Sequence, residues 1–502
     1  MLTYYIIRNI ILFCKKKLLR QLFFLDLKED KMEQIKENKM GVMPVRKLLV
    51  SMSIPMMISM VVQALYNVVD SIFVARISED ALTAVSLSFP VQNLMVAIAV
   101  GTGVGINALL SKNLGEKNME EVNSIADNGI FLAFLSYLLF LVFGMTFVRP
   151  YFGAQTNNAE IIEYGISYLS VCTIASIGIF GQVTFERLLQ STGKTIFTMM
   201  TQGIGAIINI ILDPILIFGM FGMPKMGIEG AALATVIGQI AAWLLAVVFN
   251  VKYNNEIKIQ ANGFRPNIKT IKKIYAIGIP SIIMLSITSV TTYCINNILM
   301  KFSATATAVF GVYYKLQSFA FMPVFGLNNG MVPIISYNYG ARYKERIIHT
   351  IRLSIEIAIG IMLFALLIIQ LYPEKMLLLF NASNDMINIG IPALRIISLS
   401  YIFAGFSVVA GSVFQAFGNG VMSLMVSVGR QLVVLVPAAY LLSLTGNVNL
   451  VWWSYPIAEV ASLVLSIFFL KIIYSTKIEP ISDCFGGDDG DDIAGGALQG
   501  AK

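Results

Sequence analysis

The sequence is short of charge. Lysine, arginine, aspartate and glutamate make up 13% of its 502 residues, about half of the roughly 25% usual in globular chains. Histidine occurs once, as His349, in a basic stretch with no companion at metal-ligand spacing. The four cysteines, Cys14, Cys172, Cys294 and Cys484, are scattered, with no CxxC and no paired spacing. Neither a zinc site nor a disulfide framework can be drawn from that set, and the cysteines read as isolated buried thiols plus one in the tail. HExxH, GxSxG and Walker A patterns are missing as well. That removes the main grounds for a hydrolase, a metalloenzyme or a self-contained ATP-driven pump, and no enzyme is expected.

What is abundant is apolar. Hydrophobic residues reach 57% and the mean hydropathy is +0.75. They come in blocks of about 20 to 28 residues, each long enough to cross about 30 Å of hydrocarbon at about 1.5 Å per residue. Twelve helices are predicted, at 51–75, 82–110, 124–147, 160–185, 195–220, 228–249, 274–300, 306–334, 348–371, 386–413, 420–443 and 449–474. Lys and Arg then gather on one side: the N-terminal arm, Lys112, Lys117, Arg187, Lys194, the 252–273 stretch, Arg342, Lys344, Arg346, Lys471 and Lys477. The other side has only Arg76, Arg149, Lys225, Lys301 and Lys375. Basic loops stay in the cytoplasm, so a multi-pass plasma-membrane protein with both termini cytoplasmic is expected. The net charge of +7 reports topology, and no nucleic-acid partner is expected. Residues 2–13 are too short to span, and most of their charge follows the apolar part, as in an interfacial helix or an upstream extension. The Gly- and Asp-rich stretch from Gly486 to Lys502 is expected to be disordered.

Sliding the sequence against itself by 225 residues aligns Pro55 with Pro280, Gln92 with Gln317, Gly101 with Gly326, Gly105 with Gly330 and Asn113 with Asn338. It also aligns Gly115 with Gly340, Gly165 with Gly390, Gln190 with Gln415 and Gly193 with Gly418. One register holds without a gap from the first predicted helix to the fifth. Each copy holds six helices, an even number, so both enter the membrane in the same direction. The fold class is therefore an all-α polytopic membrane protein: twelve transmembrane helices in two parallel-repeat six-helix bundles, related by a pseudo-twofold axis along the membrane normal. The division reads as a basic arm (1–45), a first lobe (46–250), a cytoplasmic linker (251–273), a second lobe (274–475) and a disordered tail (476–502). Residues found in both copies read as architecture: glycines for close helix approach, prolines for kinks, glutamines as bridges. Polar residues found in one copy only are better candidates for a specialised task.

Two carboxylates carry the sharpest signal, because ionisable groups within a bilayer are costly and rarely kept without a role. Asp70 follows Gln63, Tyr66 and Asn67 on one helical face, at i, i+3, i+4 and i+7 spacing. Asp213 has Asn209 at i−4 and is followed by Pro214, which has no N–H and so frees the carbonyl of Ile210 to ligate. Both aspartates lie about two turns from the outer ends of their helices, and Thr235 lies at the same level in helix 6. The repeat puts Ile295, Val434 and Ala438 opposite Asp70, Asn209 and Asp213, so the second lobe lacks an equivalent. With no membrane-depth Lys or Arg in the first lobe, a proton or a metal cation such as Na⁺ is the expected counter-charge. The alternative is that both aspartates bond to neighbouring Asn and Tyr side chains and lock the lobe. Arg352 and Glu356 read as an i, i+4 salt bridge. Arg395, Arg430 and Glu459, near mid-depth in the second lobe, read as a structural ion-pair group, with a substrate or coupling role as the alternative. Asp127, Glu163, Glu186 and Arg187 are expected near helix ends, close to water.

These residues resemble the multidrug and toxic compound extrusion (MATE) family over 46–475. The segments that carry the resemblance are Tyr66-Asn67-Val68-Val69-Asp70 after Pro55, Gly101 to Gly115, Gln190-Ser191-Thr192-Gly193, Asn209 to Pro214, and Gly230-Ala231-Ala232-Leu233-Ala234-Thr235. The chain is similar to the bacterial and archaeal branch whose cation site is in the N-terminal lobe, where the family's aspartates, asparagine and threonine match Asp70, Asp213, Asn209 and Thr235. The branch that couples through a helix 7 glutamate and a helix 10 aspartate is not matched: helix 7 offers Ser286, Thr288, Thr291, Thr292, Asn296 and Asn297 but no carboxylate. The resemblance implies antiport, the export of amphipathic, often cationic compounds against inward Na⁺ or H⁺, with no cofactor beyond that ion. Gln63, Tyr66, Asn67, Met284 and Thr288 are expected to line the substrate cavity, and a monomer is expected. The alternative is a flippase for lipids or lipid-linked oligosaccharides, whose anionic pyrophosphate would need Arg and Lys in that cavity.

Overall fold

In the computed structural model of the protein, residues 38–259, 264–380 and 382–481 are described. They are helical, with no strand among them. Ten helices are long and apolar enough to span a bilayer, and two bent pairs complete a set of up to twelve. The first lobe comprises α1 (Val45–Ala75), α2 (Glu79–Gly115), α3 (Met119–Thr146), α4 (Ala159–Ile174 with Ile177–Ser191), α5 (Thr195–Phe218) and α6 (Ile228–Tyr253). The second comprises α7 (Ile268–Met300), α8 (Ala304–Gly340), α9 (Lys344–Leu371), α10 (Asn384–Ser398 with Tyr401–Ala416), α11 (Gly420–Val428, continuing to Ser443) and α12 (Ser454–Ile473).

The repeat is visible in local structure. Ser78 caps α2 by accepting from the Ala81 amide, and Ser303, 225 residues on, caps α8 by accepting from the Ala306 amide. Lys117 and Arg342 take matching left-handed conformations (φ 60° and 61°) after those helices, as do Gly193 and Gly418 (φ 83° and 81°) after α4 and α10. The two bends, 41° in α4 and 50° in α10, fall at corresponding breaks.

The repeated glycines of α2 and α8 line the seam between lobes, where α2 packs on α7 and α1 on α8. A Cβ at Gly101 would stand 2.5 Å from the Ile282 side chain, and one at Gly326 would stand 2.4 Å from Met57 Cα. Nearer the helix ends the approach is closer. A Cβ at Gly115 would stand 2.0 Å from the Tyr337 carbonyl oxygen, and at Gly340 the same distance from that of Lys112. The backbones therefore touch at the end of the bundle that holds residues 115 and 340, and only glycine permits it.

That end is closed by a segment that the sequence assigns to the basic N-terminal arm. Residues 38–43 are instead strapped across both lobes. On the first lobe, Asn38 Nδ2 donates to the Thr192 carbonyl and to Glu256, each at 3.1 Å. On the second, Arg346 Nη2 donates to the carbonyls of Met40 (3.1 Å) and Met43 (2.7 Å), and Asn338 Nδ2 also donates to Met40 (3.1 Å). Met40 is fully buried. Burial, and then the neighbouring Lys194 ammonium, hold the Lys39 pKa below its usual value, with Glu256 pulling it up.

Other boundaries shift too. The helices run longer than the apolar blocks: α1 starts at Val45, α2 ends at Gly115, and α7 starts at Ile268, inside the expected linker. At the far end, structure continues beyond 475, with Ile478 and Ile481 buried. The apolar run at 2–13, the arm up to residue 37 and the Gly- and Asp-rich tail lie outside the described residues.

Candidate cation site in the first lobe

Helix geometry sets the level of the site. Asp70 lies five residues before the end of α1, and Asp213 five before the end of α5, about 7.5 Å along each axis. The two helices pack extensively, and the aspartates are close enough for their charges to interact. Thr235 enters from α6, where its hydroxyl accepts from Asn209 Nδ2 at 3.2 Å. Asp213 is fully buried, and neither of its carboxylate oxygens has a hydrogen-bond partner; nor do Asp70 Oδ1 and Asn209 Oδ1. The four residues singled out from sequence are therefore gathered by three neighbouring helices, with buried oxygens left free.

Further groups join them. Tyr66 on α1 lies within electrostatic range of both aspartates, and Tyr168 and Cys172 on α4 lie within range of Asp70. Gln92 on α2 donates to the Tyr168 hydroxyl at 3.2 Å, so this repeated glutamine does bridge helices. Sequence reasoning passed over Tyr168 and took Cys172 for a bland thiol. Their repeat partners, Ala393 and Ile397, could have flagged both as polar in one copy only. Of the expected cavity residues, Gln63 and Asn67 are exposed, while Tyr66, Met284 and Thr288 are half-buried.

A family model described as MatE matches the chain twice, over residues 55–215 and 280–441, with starts 225 residues apart. The chain belongs to the MATE family. Among curated MATE relatives, the probable multidrug resistance protein YoeA of Bacillus subtilis (strain 168) is 26% identical over 84% of this chain and 93% of its own length. The multidrug export protein MepA of Staphylococcus haemolyticus (strain JCSC1435) is 25% identical over 86% and 94%. A solved structure described as the outward-facing conformation of a multidrug resistance MATE transporter of the MOP superfamily superposes with a TM-score of 0.84, at 25% identity, covering 89% of this chain and all of that one.

Elsewhere in this MATE chain the charges fall differently from expectation. Glu186 and Arg187, expected near water, are buried at 2% and 6% exposure, because α4 resumes after its bend and carries them inside. Glu186 accepts from Gln182 (3.0 Å), Thr201 (2.9 Å) and Gln202 (2.7 Å). The first lobe thus does contain a buried arginine. It does not face the aspartates: Arg187 donates to Gln190 at 2.8 Å and, across the seam, to Asn329 at 3.0 Å. Arg187 follows Glu186, which bonds Thr201 and Gln202 on α5, whereas Asp213 lies a further eleven residues along α5 from Gln202, about 17 Å along the axis. In the second lobe Arg430 pairs with Glu459 at 2.7 Å. The expected triad fails at Arg395, which is exposed and has no ion pair among the described residues. Arg352 and Glu356 form the expected bridge at 2.9 Å.

Proposed function

We propose that this MATE protein is a secondary active efflux antiporter, exporting amphipathic, often cationic small molecules in exchange for Na⁺ or H⁺ by alternating access of its two lobes. The observation that carries this reading is Asp213, fully buried with no donor on either oxygen. Asp70 is within its electrostatic reach, and the Asn209–Thr235 pair is contributed by α5 and α6. Had the aspartates served as a lock, their oxygens would accept hydrogen bonds from neighbours, as Glu186 does. A positive ion is the counter-charge that lowers the cost of such a pair. Two carboxylates, the free amide oxygen of Asn209, the Thr235 hydroxyl and the Ile210 carbonyl form a hard-oxygen set suited to Na⁺ as well as to a proton.

The cation's effect on packing supplies the coupling. Loading it relieves repulsion between α1 and α5, so loaded and empty lobes prefer different arrangements, and a substrate that favours the opposite arrangement is exchanged for it. Basic loops assign the sealed end, with residues 115 and 340, to the cytoplasm, with both termini on that side of the plasma membrane. The described conformation is then sealed on its cytoplasmic face. Gln63, Tyr66, Asn67, Met284 and Thr288 are the residues assigned to the substrate path, and the names of the relatives support multidrug cargo. The protein acts as a monomer with no cofactor beyond the coupling ion. The flippase reading loses its cationic cluster, since Arg430 is bound by Glu459 and Arg395 stands apart.

Dye counterflow from proteoliposomes, with Na⁺ and pH gradients imposed separately, tests this. One of the two gradients is expected to drive exchange. Dye movement that ignores both would contradict the proposal.

A further inference from the structure

Where the first turn of α1 meets α9, a cleft of about 170 Å³ is lined by Arg46, His349, Arg352, Leu353 and Glu356. Arg46 comes from the first lobe and the others from the second, so the cleft straddles the seam. Glu356 takes only the Nε of Arg352. Among the described residues, the Arg46 guanidinium, the His349 imidazole and the terminal nitrogens of Arg352 have no protein acceptor. Three cationic or N–H-bearing groups thus converge on a concave site with a single carboxylate beside them.

The depth of the cleft identifies what reaches it. α9 has 28 residues, about 42 Å of helix against about 30 Å of hydrocarbon, so up to about eight residues at this end can lie beyond the acyl chains, which puts His349 among the headgroups and Arg352 at their inner edge. On its exposed side α9 changes from Arg352 and Glu356 to Leu363, Phe364, Leu367 and Leu371. A charged cleft directly above an exposed apolar stripe has the layout of a phospholipid, headgroup above tail. We propose that this cleft binds the phosphate of an anionic phospholipid in the leaflet at the sealed end, with Arg46 and Arg352 on phosphate oxygens and His349 as a further donor. Because the headgroup joins the two lobes, its binding favours the conformation sealed on this face. That consequence rests on the alternating-access reading; the binding itself does not.

Native mass spectrometry of the purified full chain, in an equal mixture of phosphatidylglycerol and phosphatidylcholine with the same acyl chains, tests it. Phosphatidylglycerol is expected to be retained in preference. Arg46→Gln and Arg352→Gln should each reduce its retention about fivefold, whereas Lys47→Gln, exposed on α1 outside the cleft, should not. Unchanged retention in both arginine variants overturns the assignment, as does displacement of the lipid by inorganic phosphate, which would make free phosphate the ligand. Dye exchange measured on the same preparations separates the two claims. Normal exchange without lipid preference sinks the cleft alone, and lipid preference without exchange sinks the antiporter.

Discussion

Asp213 and Asn209 stand one turn apart on α5, and Thr235 holds the asparagine by its amide, which leaves the amide oxygen free. This arrangement separates the roles that substitutions can expose. Asp70→Asn and Asp213→Asn are expected to abolish cation-driven exchange while leaving the fold intact, because each removes a buried, uncompensated charge. Thermal unfolding in detergent should therefore stay level or rise. Asn209→Ala removes one ligand and the partner of Thr235, and should raise the cation concentration needed for half-maximal exchange more than it lowers the maximal rate. Glu186 is the contrasting carboxylate. Three side chains donate to it, so Glu186→Ala strands buried donors and should destabilise the protein by about 1–3 kcal/mol, read as an earlier unfolding transition.

At the scale of the element, the glycines of α2 and α8 and the strap at 38–43 form one closure. Gly115→Ala drives a methyl into the Tyr337 carbonyl, and overpacking of that kind costs about 1–3 kcal/mol. The variant should melt earlier and, in spin-label distance measurements across the seam, show a larger open fraction at this end. What the sequence made legible here was the architecture: the repeat predicted which glycines matter, and the geometry puts them where the copies meet. What stayed hidden has physical causes. Hydropathy ended α4 at residue 185, so the buried Glu186 and Arg187 beyond it read as near water, and an unbroken apolar run gave no sign of the bend between Ile174 and Ile177. Asn38 to Met43 read as part of a solvated basic arm because their partners, Thr192, Glu256, Asn338 and Arg346, are distant in sequence. Periodicity carries no information about such contacts.

Taken whole, the molecule is a duplicated scaffold whose copies have diverged at their polar centres. The first lobe keeps two aspartates whose buried oxygens, Asp70 Oδ1 and both of Asp213, have no hydrogen-bond partner among the described residues. The second has Ile295 and Ala438 at those positions, and its buried Glu459 is already paired with the half-buried Arg430. A symmetric frame with one unneutralised lobe is what the proposed action of an ion on one lobe alone rests on. Asp70 and Asp213 were legible because a charge within a bilayer is costly, and Asn209 and Thr235 because they lie one turn away or at the same depth, whereas Tyr168 and Cys172 lacked a charge to draw attention to them. The most direct test is the exchange rate of dye for the driving cation in vesicles bearing wild-type, Asp70→Asn or Asp213→Asn protein at matched density. The account predicts that both variants lose exchange under the gradient that drives the wild type. Exchange at wild-type rate in either would contradict it.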